Sequence, residues 1–76
     1  MKKKLERKPY FRLKGYLAEN DIKQREVAKL VGKSPAAFNQ NINGTGADFS
    51  ARDIRIICEN YKLSADEYFF NQKVSN

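Results

Sequence analysis

The chain has no histidine, a single cysteine and no long apolar run. Without histidine, zinc fingers and most other metal sites are not expected, because their ligand sets draw on paired Cys and His side chains. Cys58 has no second cysteine to join, so no internal disulfide forms, which suits a reducing compartment. No apolar stretch approaches the ~20 residues needed to span a bilayer. The N-terminal lysines are not followed by the apolar segment of a secretion signal, so a cytoplasmic location is expected. Catalysis is not expected either. The one thiol falls on an inward-facing position, and no acid/base pair or phosphate-cradling Gly loop is recognisable. Neither a cofactor nor a small-molecule ligand is implied. Strand alternation, internal repeats and low-complexity tracts beyond the lysine run are also missing.

What is present is enough apolar residue, 41% of 76, for one domain. A chain this short buries only about 60% of its unfolded surface. The net charge of +6 is unevenly spread. Residues 1–14 hold seven basic side chains against Glu6, while the remainder balances eight basic with eight acidic. A basic tail beside a neutral globule suggests an arm that tracks phosphate, and Lys2, Lys3 and Lys4 are its core. The plainer reading is a solvated terminus that aids solubility.

Residues 1–9 lack an apolar period and read as a flexible basic arm. A first helix is expected from about Tyr10 to Asn20, with Leu13, Tyr16 and Leu17 forming its core stripe and Gly15 interrupting its interior at a cost of roughly 1 kcal/mol. Later in the chain, Ser50 with Asp53 approximates a capping box for a helix whose inner face is Ile54, Ile57, Cys58 and Tyr61. Phe49 is placed as a hydrophobic staple against Ile54 or its neighbours. Leu63 plugs the core, and Ser64 with Glu67 is a second capping box opening a short helix through about Phe70. Residues 71–76 read as a frayed tail. Seven of the nine aromatics fall on or beside inferred core faces; Tyr10 and Phe70 are the two left unassigned. The fold expected is all-α, five helices around one core.

The most informative segment is Ile22 to Gly44, IKQREVAKLVGKSPAAFNQNING. Val27 and Val31 lie four apart with Ala28 beside them, which gives a short helix one apolar face. Gly32 stands where that helix would end in a left-handed residue. Ser34 is a good N-cap and Pro35 suits the first helical position, so a second helix begins there and closes at Gly44. Phe38 and Ile42 form its buried face, leaving Ala36, Asn39, Gln40 and Asn43 to point elsewhere. Two short helices joined by a tight turn are the geometry that places a helix in the DNA major groove.

Ile22, Gln24, Val27, Ala28, Val31, Gly32, Ser34, Phe38, Asn43 and Gly44, in that order, resemble the Cro/CI (XRE, lambda-repressor-like) helix-turn-helix family. The later FSARDIRIICENYKLSADEYFF resembles that family's fourth and fifth helices, so the likeness spans roughly Tyr10 to Phe70. It implies a five-helix DNA-binding domain over residues 10–70, with the helix-turn-helix at helices two and three. Gln24 would contact a phosphate and brace the recognition helix, joined by Ser34, Asn43 and Thr45 on the DNA backbone. Base contacts would fall to Asn39 and Gln40, both able to pair bidentately with adenine, to Ala36 against a thymine methyl, and to Lys33, which would reach a guanine or a phosphate. The Pro35-Ala36-Ala37 start departs from the hydrogen-bond donors usual there.

The function implied is a Cro- or repressor-like transcription regulator of phage or mobile-element type, which binds an operator in double-stranded DNA. Specificity on a short operator implies two copies, paired in solution or only on DNA, with Phe70 the candidate dimer contact. The alternative keeps the fold and makes the chain an antirepressor or antitoxin-type protein-interaction module, which the donor-poor helix start favours slightly.

Overall fold

The computed structural model describes residues 7–71. Four α-helices and a π-helical turn follow in order: α1 (Phe11–Glu19), α2 (Gln24–Leu30), α3 (Pro35–Asn43), α4 (Ala51–Tyr61) and the π turn (Asp66–Phe70). No strand occurs among the described residues, so the fold is all-α with five helical elements on one core. Lys2, Lys3 and Lys4, and the expected frayed tail beyond Asn71, lie outside the described residues.

The helix ends follow from local chemistry. After α2, Gly32 adopts φ +77, and the Gly32 and Lys33 amides donate to the Lys29 and Ala28 carbonyls at 3.1 and 2.8 Å. That pattern satisfies carbonyls that a helix end leaves open. α3 stops the same way at Gly44, φ +74, with the Gly44 and Thr45 amides both donating to the Gln40 carbonyl. α4 uses Lys62 for the turn, at φ +59, a conformation that costs a residue with a Cβ more than glycine. At the other ends, Ser34 Oγ accepts from the Ala37 amide at 3.1 Å. Ser50 and Asp53 form a complete reciprocal capping box at 3.1 and 3.0 Å. Ser64 Oγ accepts from the Glu67 amide at 3.3 Å. The Glu67 carboxylate also meets Arg12 of α1 across 3.4 Å. The last helix differs from expectation in pitch: the Asn71 amide donates to Asp66, five residues back, at 2.6 Å.

Leu13 and Leu17 of α1, Val27, Ala28 and Val31, Phe38 and Ile42 of α3, and Ile57 of α4 close over the core. Phe49 is its aromatic hub. Its ring lies 5.2 Å from Tyr10, 5.5 Å from Phe38 and 5.5 Å from Phe69, all tilted or edge-on, the favoured aromatic geometry. Tyr10, left unassigned by pattern, is buried here, while Phe11 faces out, about half exposed. Cys58, Ile54 and Tyr61 are partly buried against the same core.

Of the basic arm read over residues 1–9, only residues 7–9 are described, and these lie against the body. The Arg7 amide donates to the Gly44 carbonyl at 3.3 Å and the Tyr10 amide to the Ile42 carbonyl at 2.9 Å. The segment from Arg7 onward is therefore fastened to the end of α3.

Candidate nucleic-acid interface

α2 and α3 are the most closely packed helix pair, joined by the turn of residues 31–34. Burial of Phe38 and Ile42 fixes the rotation of α3, because residues four apart share one face. The outward side then carries Ala36 and Asn39, both exposed, and the exposed cap Ser34. Ser34 spends its oxygen as an acceptor on the cap, which leaves its hydroxyl proton available to donate outward. Gln24 opens α2, and its Oε1 accepts from Asn39 Nδ2 at 3.4 Å, a long bond linking the two helices at the surface. An open groove of about 480 Å³ runs between the α1–α2 turn and the start of α2, with Asp21, Lys23, Gln24 and Arg25 on its lining and Pro35 of α3 at its edge. At the opposite end of α3, Lys14 Nζ donates to Asn43 Oδ1 at 2.7 Å. Cationic side chains therefore sit at both ends of the exposed side of α3.

Two expected base-contacting residues make contacts within the protein. Lys33 is turned inward: its ammonium is 2.6 Å from Asp53 Oδ2, also donates to Asn41 Oδ1, and lies 5.5 Å from the Phe49 ring centroid. A buried carboxylate in need of a partner holds it more firmly than solvent does. Gln40 is half-buried and folds over the following loop, so close to Gly46 that a Cβ there would meet Gln40 Oε1 at 2.6 Å. Thr45 is half-buried, its amide held by Gln40. Of the eight base and phosphate positions read from sequence, Ser34, Ala36 and Asn39 are exposed and Gln24, Gln40, Asn43 and Thr45 half-buried, whereas the Lys33 ammonium turns inward.

Beneath α3 runs a polar layer that pattern reading missed. Asn41 is buried, its Nδ2 donating to the Ala47 carbonyl at 2.7 Å. Arg7 closes the same loop. Its guanidinium donates to the carbonyls of Gly46 at 2.6 Å, Asn41 at 2.7 Å and Ala47 at 2.8 Å. Its Nε lies 3.1 Å from Asp48 Oδ1, near enough to pair in charge though not angled as a hydrogen bond. Asp48 also accepts from the Tyr10 hydroxyl at 2.5 Å. Burial, then the Asp48 contact, pushes the Tyr10 phenol up to about 12. Burial by itself would raise the Asp53 carboxyl, but the Lys33 ammonium and the bonds from Ser50 outweigh it and hold the group below its usual value. None of these long-range pairings leaves a trace in hydrophobic periodicity. The nearest signal is a basic side chain, Lys33, in a turn position where the resembling family is often apolar.

Among the described residues no cluster of three or more His, Cys, Asp or Glu side chains offers a metal site, and no helix is long and apolar enough to cross a membrane. No family model, curated protein or solved structure matches the chain.

Proposed function

We propose that α2, the 31–34 turn and α3 form a helix-turn-helix of Cro/CI type, and that the chain is a sequence-specific double-stranded DNA-binding regulator acting by operator occupancy in a bacterial or phage-infected cytoplasm. The observation that carries this is the division of α3: Phe38, Asn41 and Ile42 are sealed inward, while Ala36 and Asn39 stand exposed beside a capped N-terminus with basic flanks. On this reading Asn39 is the main base reader, pairing bidentately with adenine, and Ala36 touches a thymine methyl. Gln24 and Ser34 hold phosphate at the helix starts, where unpaired amides and the macrodipole favour an anion. Asn43, with Lys14 beside it, meets the backbone at the far end. Lys33 is left out of the contact set and supports α3 from below.

A single domain reads few base pairs, so two copies on a pseudo-palindrome are part of the proposal. Phe70, exposed beside a groove lined by Ile54, Cys58 and Leu63, is the candidate contact between them. The donor-poor start at Pro35, Ala36 and Ala37 favours a second reading, a protein-interaction module of antirepressor or antitoxin type.

Titration of labelled duplex from the DNA flanking this gene against scrambled duplex, at two salt concentrations, separates the readings. A preference that survives higher salt and disappears in Asn39→Ala supports operator reading, with about 1–3 kcal/mol of discrimination riding on that side chain. Equal binding to both duplexes that vanishes with salt refutes it.

A further inference from the structure

The start of α1 carries two features that its own packing does not use. Lys14 Nζ donates to Asn43 Oδ1 at 2.7 Å, and among the described residues no carboxylate pairs with that ammonium. An ammonium has three protons to give, and the bond to Asn43 takes one. Asn43 accepts through Oδ1, which turns its Nδ2 donors away from the lysine. The protons left over, on Nζ and on Nδ2, are donors beside a full positive charge, which suits an anion.

Phe11 lies three residues before Lys14, so the two side chains are neighbours on one flank of α1, with Cβ atoms about 5–6 Å apart. Its ring is 51% exposed. An exposed phenylalanine by itself needs no explanation; this one stands one turn from a cation whose bond is to a neutral amide. Tyr10, immediately before it, is buried, and its amide is bonded to the Ile42 carbonyl at 2.9 Å. This turn of α1 is therefore held against the end of α3, and ring, ammonium and amide form one surface there. An apolar face next to an anion is what a sugar–phosphate unit presents. A nucleic-acid strand repeats that pairing, whereas a free anion makes no use of the ring.

We propose that Phe11 and Lys14 make α1 a second DNA-contacting element: Lys14, with Asn43, binds a backbone phosphate, and the Phe11 ring packs on the adjoining deoxyribose. The proposal rests on the DNA-binding reading above and adds to it a contact that carries affinity without sequence information.

The chain holds no tryptophan, so Phe11→Trp places a single indole reporter at the site in the full chain. Duplex from the DNA flanking the gene, added to saturation, is expected to lower acrylamide quenching of that indole; quenching unchanged at saturation overturns the proposal. Inorganic phosphate at the same ionic strength is expected to leave the quenching unchanged, and equal shielding by phosphate also overturns it. Two further variants are titrated with native and scrambled duplex. Lys14→Gln should lower the slope of log K against log salt by ~0.9. Phe11→Ser should weaken binding about fivefold with the slope unmoved, since it removes apolar contact and no charge. Both losses should be equal on the two duplexes. A Lys14→Gln slope equal to that of wild type, or Phe11→Ser binding as tightly as wild type, overturns the proposal and leaves the DNA-binding reading intact. A wild type that binds neither duplex overturns that reading, and this contact with it. Where circular dichroism shows Phe11→Ser or Lys14→Gln to have lost helix, the Phe11→Trp measurement decides.

Discussion

Lys33→Met removes the ammonium facing Asp53 while keeping an apolar stem over the Phe49 ring. In the native protein the pair is 2.6 Å apart, and the two side chains are 23% and 3% exposed. Breaking a buried pair by deleting one partner costs about 3–5 kcal/mol, because the remaining charge loses its compensation. The partly exposed lysine and the Ser50 bonds still held by Asp53 place this case near the lower end, about 3 kcal/mol. For a domain of this size total stability is on the order of 4–11 kcal/mol, so the variant should melt roughly 12–24 °C lower.

Urea unfolding followed by circular dichroism gives the number directly, and its pH dependence identifies the cause. In the native protein the depressed Asp53 carboxyl contributes stability that is fully present above its unfolded value of 3.8 and is lost as pH falls through the lower folded value. Without Lys33, burial dominates and the carboxyl rises. The variant's deficit is then largest at neutral pH and shrinks as the group protonates. The gap between the two proteins should narrow from pH 7 to pH 3. A loss below about 1 kcal/mol, the size of a screened surface pair, or a gap indifferent to pH, would refute this account of Lys33.

Gly15 sits in the interior of α1, exposed, with nothing within 4 Å of the Cβ it lacks; Gly15→Ala should stabilise by about 1 kcal/mol, seen as a melting temperature roughly 4–8 °C higher. Tyr10 titrates near 12 in the folded protein against 10.0 unfolded, so its contribution holds below pH 10 and is lost as pH rises from 10 toward 12. Tyr10→Phe should soften that alkaline loss without abolishing it, because burial raises the Tyr61 phenol too; an identical alkaline profile in the variant would count against the assignment.

The helices were legible because their determinants are local. Ser34, Pro35 and Gly44 bracket α3 at the residues read from sequence, and the Ser50–Asp53 box opens α4 as expected. Phe38 and Ile42 were placed inward by spacing alone, which also sets Ala36 and Asn39 outward. The contacts that pattern could not show share a cause. Arg7 bonds to residues 34 to 40 positions away, and Lys33 finds Asp53 across the fold. Composition records such residues only as charge, and a charge run looks solvated until tertiary structure supplies its acceptors. The course of Gln40 was illegible for a related reason: Gly46 leaves room for the long side chain to lie over the loop, a vacancy that no pattern on α3 announces.

The layer of Arg7, Lys33, Asn41 and Asp53 beneath α3 has a consequence for how this surface changes over generations. Support and display fall on different residues of the same helix. Ala36 and Asn39 are exposed, Asn39 holding only its long bond to Gln24, so substitutions there should shift stability by no more than about 0.5 kcal/mol. A library randomised at those two positions would stay folded almost throughout. If α3 reads DNA as proposed, new specificity is then reachable by single steps that never cross an unfolded intermediate, even in a domain as small as this one.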